Sequence, residues 1–132
     1  MSTRCMIGVE RADGTIRGIY LHCDGARAGA ILLAHYADPA KVAALVALGD
    51  LSVLGAEIGE RHPFSERFAR SGECTAYGRD RGETQVGPTL YDDRADFAAS
   101  SDTVGACYLF AAGQWLTDAS GAWAPVASQV TA

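Results

Sequence analysis

Apolar and polar positions alternate at the start of the chain, where Cys5, Ile7 and Val9 fall on one side of an extended segment. Asp13-Gly14 is a hairpin turn signal, and Ile19 and Leu21 continue an apolar side as the chain returns through Ile16 to His22. The pattern predicts an antiparallel hairpin of residues 4–10 and 15–22. Asp24-Gly25 breaks the strand. Arg27 to Tyr36 is rich in Ala and carries Ile31, Leu32 and Leu33, which predicts a first helix. A second helix is predicted over 39–48: Asp38 suits the N-cap and Pro39 the first helical position, Val42, Leu45, Val46 and Leu48 recur at helical spacing, and Gly49 ends the run.

From Asp50 to Gly72 the periodicity weakens. Leu51, Val53 and Leu54 are interrupted by Gly55 and Gly59, and Arg61-His62-Pro63-Phe64 reads as a turn, so a surface excursion with little regular structure is expected. A short strand is predicted at Cys74 to Tyr77. In the polar stretch that follows, a short helix around Asp93 to Ala99 has Asp92 or Asp93 as its cap. Val104 to Ala111, Gln114 to Thr117 and Ala122 to Val126 read as strands, with Trp115 and Trp123 in keeping with β preference. With no repeat and no linker, residues 1–132 are expected to form a single α+β domain, an antiparallel sheet of about five strands with two helices packed on one face.

A chain of 132 residues that is 48% hydrophobic can bury a core without metal or disulfide support. Met1-Ser2-Thr3-Arg4 leads into a strand-like pattern, and no apolar run approaches the roughly 20 residues of a membrane span. The expectation is a soluble, intracellular protein without a membrane partner. Cys5, Cys23, Cys74 and Cys107 are scattered singly, so free thiols are expected rather than a zinc or redox motif. Residues 1–50 balance five basic against five acidic side chains, whereas 51–132 hold six against eleven, so the whole net charge of −5 lies in the second part. That balance argues against direct nucleic-acid binding, which needs excess Lys and Arg on one face, and suits an acidic patch aimed at a basic partner.

The chemistry-bearing candidates are few. His22, Cys23 and Asp24 cluster at a strand end, but adjacent strand residues face opposite ways and cannot share one metal. His35 suits a helix C-terminus and His62 sits in a turn. No G-x-S-x-G nucleophile and no glycine-rich phosphate loop is present, so no catalytic residue, cofactor or metal is assigned. The densest cluster is Arg79-Asp80-Arg81-Gly82-Glu83. On a continued strand Arg79 and Arg81 share a face and form a guanidinium fork for phosphate or carboxylate, with Asp80 opposite. The same ions can instead pair with one another in solvent, or meet a protein surface with Tyr77 as the anchor.

Five blocks in order carry a resemblance: S-T-R-x-x-I-G-V-E at 2–10, D-G-T-I at 13–16, I-Y-x-H-x-D-G at 19–25, L-L-x-H-Y-x-D-x-x-K-V-x-x-L-x-x-L-G-D-x-S-x-L-G at 32–55 and C-x-A-Y-G-R-D-R-G-E at 74–83. They resemble a family of small proteins carried by bacteriophages and prophages. Cys23 stands where that family suggests a tryptophan, and the loop after Gly25 is shortened. The resemblance implies a mobile-element protein in the host bacterial cytoplasm. In that setting an inhibitor of host defence of the anti-CRISPR kind is expected, one that binds a subunit of a CRISPR interference complex and blocks its nucleic-acid-binding surface. Its partner-binding residues are then Asp92, Asp93, Asp96 and Asp102, with Tyr77, Arg79, Asp80, Arg81 and Glu83 as the other candidate surface. The rival is a small-ligand-binding protein or enzyme whose pocket is lined by His22, Asp24, Arg79 and Arg81. A third reading is an accessory phage protein acting through oligomerisation, for instance as a homodimer.

Overall fold

A computed structural model describes residues 4–22, 25–70, 72–100, 105–118 and 122–126. The hairpin forms as the sequence dictates. Strands β1 (Cys5–Glu10) and β2 (Ile16–Leu21) pair antiparallel from Cys5 opposite Leu21 to Glu10 opposite Ile16. Gly14 takes φ +88, and the Asp13 carboxylate accepts from both the backbone and the hydroxyl of Thr15. Helix α1 (Gly25–His35) follows, then α2 (Pro39–Ala47), where Asp38 Oδ1 accepts from Ala40 N at 2.9 Å and Gly49 adopts φ +80 beyond the end.

The remaining strands enlarge the sheet beyond the sequence expectation. β3 (Leu51–Val53), β4 (Thr75–Ala76), β5 (Thr89–Tyr91), β6 (Cys107–Ala111), β7 (Gln114–Thr117) and β8 (Ala124–Pro125) join the hairpin in one eight-stranded sheet of order β4-β3-β2-β1-β6-β7-β8, with β5 also on β2. The sheet is mixed rather than antiparallel, because β1 runs parallel to β6 and β2 parallel to β3. The excursion expected from Asp50 onward therefore begins with a strand. Two short strands share one edge of β2: β5 covers Ile16 to Gly18 and β3 meets Leu21.

Helices also cover both faces, not one. α1 and α2 bury Ala28, Leu32, Val42, Leu45 and Val46 with Cys5, Ile7, Ile19 and Leu21. On the other face α4 (Arg94–Ala99), capped by Asp93 as its sequence suggests, drops Phe97 among Met6, Ile16, Cys107 and Leu109. The reason is a seat in the hairpin. Gly8 and Gly18 are directly paired, and a Cβ on either would stand 2.8 Å or 2.7 Å from the Phe97 ring. The two glycines leave the gap that a fully buried aromatic ring fills, and burying such a ring is worth about 1.5–3 kcal/mol.

This packing makes a stability prediction. Gly18→Ala overpacks the seat and lowers stability by about 1–3 kcal/mol in urea unfolding. In a double-mutant cycle with Phe97→Leu the two losses fall short of additive, because the smaller ring position relieves the clash. Strict additivity contradicts the seat.

Candidate functional site

The segment between β3 and β4 is anchored at its base before it reaches any candidate residue. Tyr36 OH donates to Gly55 O at 2.7 Å, Lys41 Nζ donates to Ala56 O at 2.7 Å, and Glu57 bridges Glu73 through backbone bonds. Cys74 is buried beneath this base with its thiol 3.4 Å from Tyr36 OH, and burial pushes that thiol upward. Chain 54–73 is thus a tethered loop carrying one 3₁₀ turn, Phe64–Glu66.

The charged cluster does not continue as a strand. Tyr77–Arg81 forms one helical turn, α3, closed by Gly82 at φ +78. The turn sends Asp80 inward and separates Arg79 from Arg81. The Asp80 carboxylate, fully buried, accepts from Ala76 N at 2.8 Å, His62 N at 3.1 Å, and Arg79 Nε and Nη2 at 3.0 and 3.1 Å. Arg79 spends its other donors on the carbonyls of Ile58, Gly59 and Cys74. His62 completes the knot, with Nδ1 donating to Glu60 O at 2.7 Å and Nε2 sharing a hydrogen bond with the buried Thr75 hydroxyl at 2.8 Å. Burial alone opposes ionisation of Asp80, but the Arg79 guanidinium and the two backbone N–H groups outweigh it and hold the carboxyl below its usual range. Of the three alternatives for this cluster, Arg79 and Asp80 take internal pairing, and the two-pronged fork of Arg79 and Arg81 is absent because a helical turn replaces the strand it required.

Arg81 points elsewhere. Its guanidinium lies 5.0 Å from the Phe64 ring centroid, and that of Arg67 lies 4.5 Å from the same ring. Tyr77 stacks on Phe64 with centroids 5.5 Å apart. These groups, with His22, Ser52 and Phe68, line a cavity of about 270 Å³ at the end of β2. His22 Nδ1 sits 2.8 Å from Tyr20 OH, which fixes the ring at the rim. No carboxylate is among the described lining residues, and Arg81 pairs with the exposed Glu83 at 3.3 Å. His22 and Arg81 do converge as the ligand-pocket reading required, Arg79 does not join them, and Asp24 lies outside the described residues. Phe64, Arg67 and Phe68 escaped sequence reasoning; the only local signal was an aromatic and arginine alternation after Pro63.

The acidic candidates occupy a different place. Asp92, Asp93 and Asp96 are exposed on the turn that opens α4, beside Leu90, which is 57% exposed. Asp93 Oδ1 accepts from Asp96 N and Asp96 Oδ2 accepts from Asp92 N, so two of the three also hold the turn together. Arg94 is bound by Glu10 through two contacts at 2.7 and 3.0 Å. Asp102 lies outside the described residues. β5 and α4 flank the start of β2, whereas the cavity lies at its end. Among the described residues no group of histidines, cysteines and carboxylates is arranged to hold a metal, and no helix is long and apolar enough to cross a membrane. No family model, curated protein or solved structure matches the chain.

Removing one partner of a buried, hydrogen-bonded charge pair costs about 3–5 kcal/mol, so Asp80→Asn is expected to lower unfolding stability by that order at neutral pH. Because the folded value of Asp80 is depressed, its contribution is complete above the unfolded carboxyl value of about 3.9 and disappears as pH falls through the folded value. The stability gap between parent and variant therefore narrows below about pH 4. A gap that stays constant from neutral pH to pH 3 contradicts the assignment.

Proposed function

We propose that the protein is a binding module that captures a small anionic ligand with a planar body in the cavity between His22, Phe64 and Arg81. The observation that carries the reading is the pair of guanidiniums, Arg67 and Arg81, set 4.5 and 5.0 Å from one aromatic ring in a cavity whose described lining residues include no carboxylate, in a chain of net charge −5. Concentrating cations where the rest of the molecule is acidic raises the local concentration of an anion. Arginine suits phosphate and carboxylate by its planar fork of donors, and the Phe64–Tyr77 stack offers a face to a planar group. An anion displaces Glu83 from Arg81 at small cost, since an exposed pair of this kind is worth less than about 1 kcal/mol.

A second reading concerns a protein partner. The exposed turn of Asp92, Asp93 and Asp96 beside Leu90 favours docking on a basic surface, in line with a mobile-element inhibitor of a CRISPR interference complex in the bacterial cytoplasm. An apolar residue rimmed by like charges supplies steering and a contact point on one patch. Asp92→Lys with Asp96→Lys, checked for folding, then weakens binding to a purified interference complex, and added salt weakens the parent. Equal affinity of parent and variant at all salt concentrations overturns this second reading.

The leading reading is tested by calorimetric titration with adenosine monophosphate and with inorganic phosphate at low salt. The nucleotide is expected to bind more tightly than phosphate, and Arg81→Gln to weaken it by about 10- to 100-fold, the worth of one or two charged hydrogen bonds. Absence of nucleotide binding, or affinity unchanged in Arg81→Gln, overturns it.

A further inference from the structure

A second cavity, of about 400 Å³, adjoins the first and is bounded by Arg27, Ile31, His35, Leu54 and Arg70. The two share Arg67 and Phe68. Ser52 lines one and Val53 the other, so the cavities lie next to each other at the β3 end. Arg67 and Phe68 form the ridge between them: the guanidinium lies 4.8 Å from the Phe68 ring, and Phe68 is 69% exposed. Among the described residues the two linings hold four arginines, Arg27, Arg67, Arg70 and Arg81, and one carboxylate, Glu73, and Arg27 is itself engaged in a further contact. Glu73 and Glu66 pair with Arg70 at 3.9 and 3.4 Å on the protein surface.

Resting on the reading of the first cavity as an anion site, we propose that the two cavities are subsites of one saddle-shaped site that takes a short nucleotide ligand of two bases, with its linking phosphate over Arg67. A ligand that straddles a ridge must have two lobes joined by a flexible link, which a dinucleotide has and a rigid planar acid lacks. Base stacking on exposed aromatic rings next to arginines that meet phosphate is the physics of single-stranded nucleotide binding. Size points the same way. The first cavity is smaller than an ordinary ligand pocket of about 300–1,000 Å³, and the two together fall within that range. The acidic remainder of the molecule sets an upper limit, because a long polyanion leaving the saddle meets repulsion. An acidic peptide matches the arginines but offers no flat partner to the exposed Phe68 ring.

The test titrates the full chain with a 5′-phosphorylated diadenylate and with adenosine monophosphate, for the parent, Arg27→Gln and Arg81→Gln, each checked for native melting. The dinucleotide is expected to bind at least tenfold more tightly than the mononucleotide. Arg27→Gln is expected to remove most of that gain while leaving the mononucleotide unchanged, and Arg81→Gln to weaken both. Mononucleotide binding with no gain for the dinucleotide, or a gain that survives Arg27→Gln, overturns the two-subsite inference and spares the single anion site. Failure of both ligands to bind the parent overturns both. A longer oligonucleotide binding more tightly than the dinucleotide also overturns the inference, since it places the ligand outside the saddle.

Discussion

A carboxylate removed from water needs donors for its lone pairs, and Asp80 finds them in Arg79, Ala76 and His62, residues of three different segments. Among its described residues the loop 54–73 has no α-helix or sheet ladder of its own to hold it, only the 3₁₀ turn Phe64–Glu66 and the bridge at its base. Its shape therefore depends on this buried charge and on the Arg79 guanidinium, which ties the carbonyls of Ile58, Gly59 and Cys74 to the same point. Once Asp80 is turned inward, the helical geometry of Tyr77–Arg81 leaves Tyr77 and Arg81 facing Phe64 on the loop it has just secured. A buried ion pair is weak evidence for stability in general, but here four donors tie the loop, β4 and α3 to one carboxylate.

The same arrangement explains how an acidic protein presents a cationic saddle. Carboxylates are not absent from this side of the molecule; Glu66, Glu73 and Glu83 pair with Arg70 and Arg81 at the surface, where solvent screens them. The buried carboxylate of the cluster, Asp80, is paired with Arg79. Where the two cavities meet, Arg67 and Phe68 line both. At the other end of β2 the balance reverses, with Asp92, Asp93 and Asp96 gathered on one turn.

Much of the fold was legible where the signal is local. Asp13-Gly14 specifies its turn through a positive φ and a side-chain cap, Asp38 and Pro39 start α2, and Asp93 starts α4 within six residues. Leu51–Val53 and Thr89–Tyr91 were not legible, because three residues carry no period and each becomes a strand by pairing with distant strands, Leu51–Val53 with β2 and β4 and Thr89–Tyr91 with β2. Gly8 and Gly18 gave no hint of α4 on the opposite face, since the seat exists only when β1 and β2 are in register. In the charged cluster, the alternation of sign invited an extended reading with Arg79 and Arg81 together; Gly82 in the left-handed region closes a helical turn instead and sends them apart. The cavity draws on positions 22, 52, 64, 67, 68, 77 and 81, a set that tertiary packing alone assembles. His22 and Arg81 were visible as candidates, and Arg67 was not, because its role depends on where Phe64 stands.

The most direct measurement of the central claim, that the guanidinium and aromatic saddle is the working surface, is a nuclear magnetic resonance titration of isotope-labelled protein with adenosine monophosphate. The arginine side-chain Nε–H signals of Arg67 and Arg81, and the amides of Phe64, Phe68 and Tyr77, are predicted to shift together along one binding curve, while the amides of Asp92, Asp93 and Asp96 stay in place. Shifts confined to the 89–96 segment, or spread without saturation over the arginines of the whole surface, contradict the account.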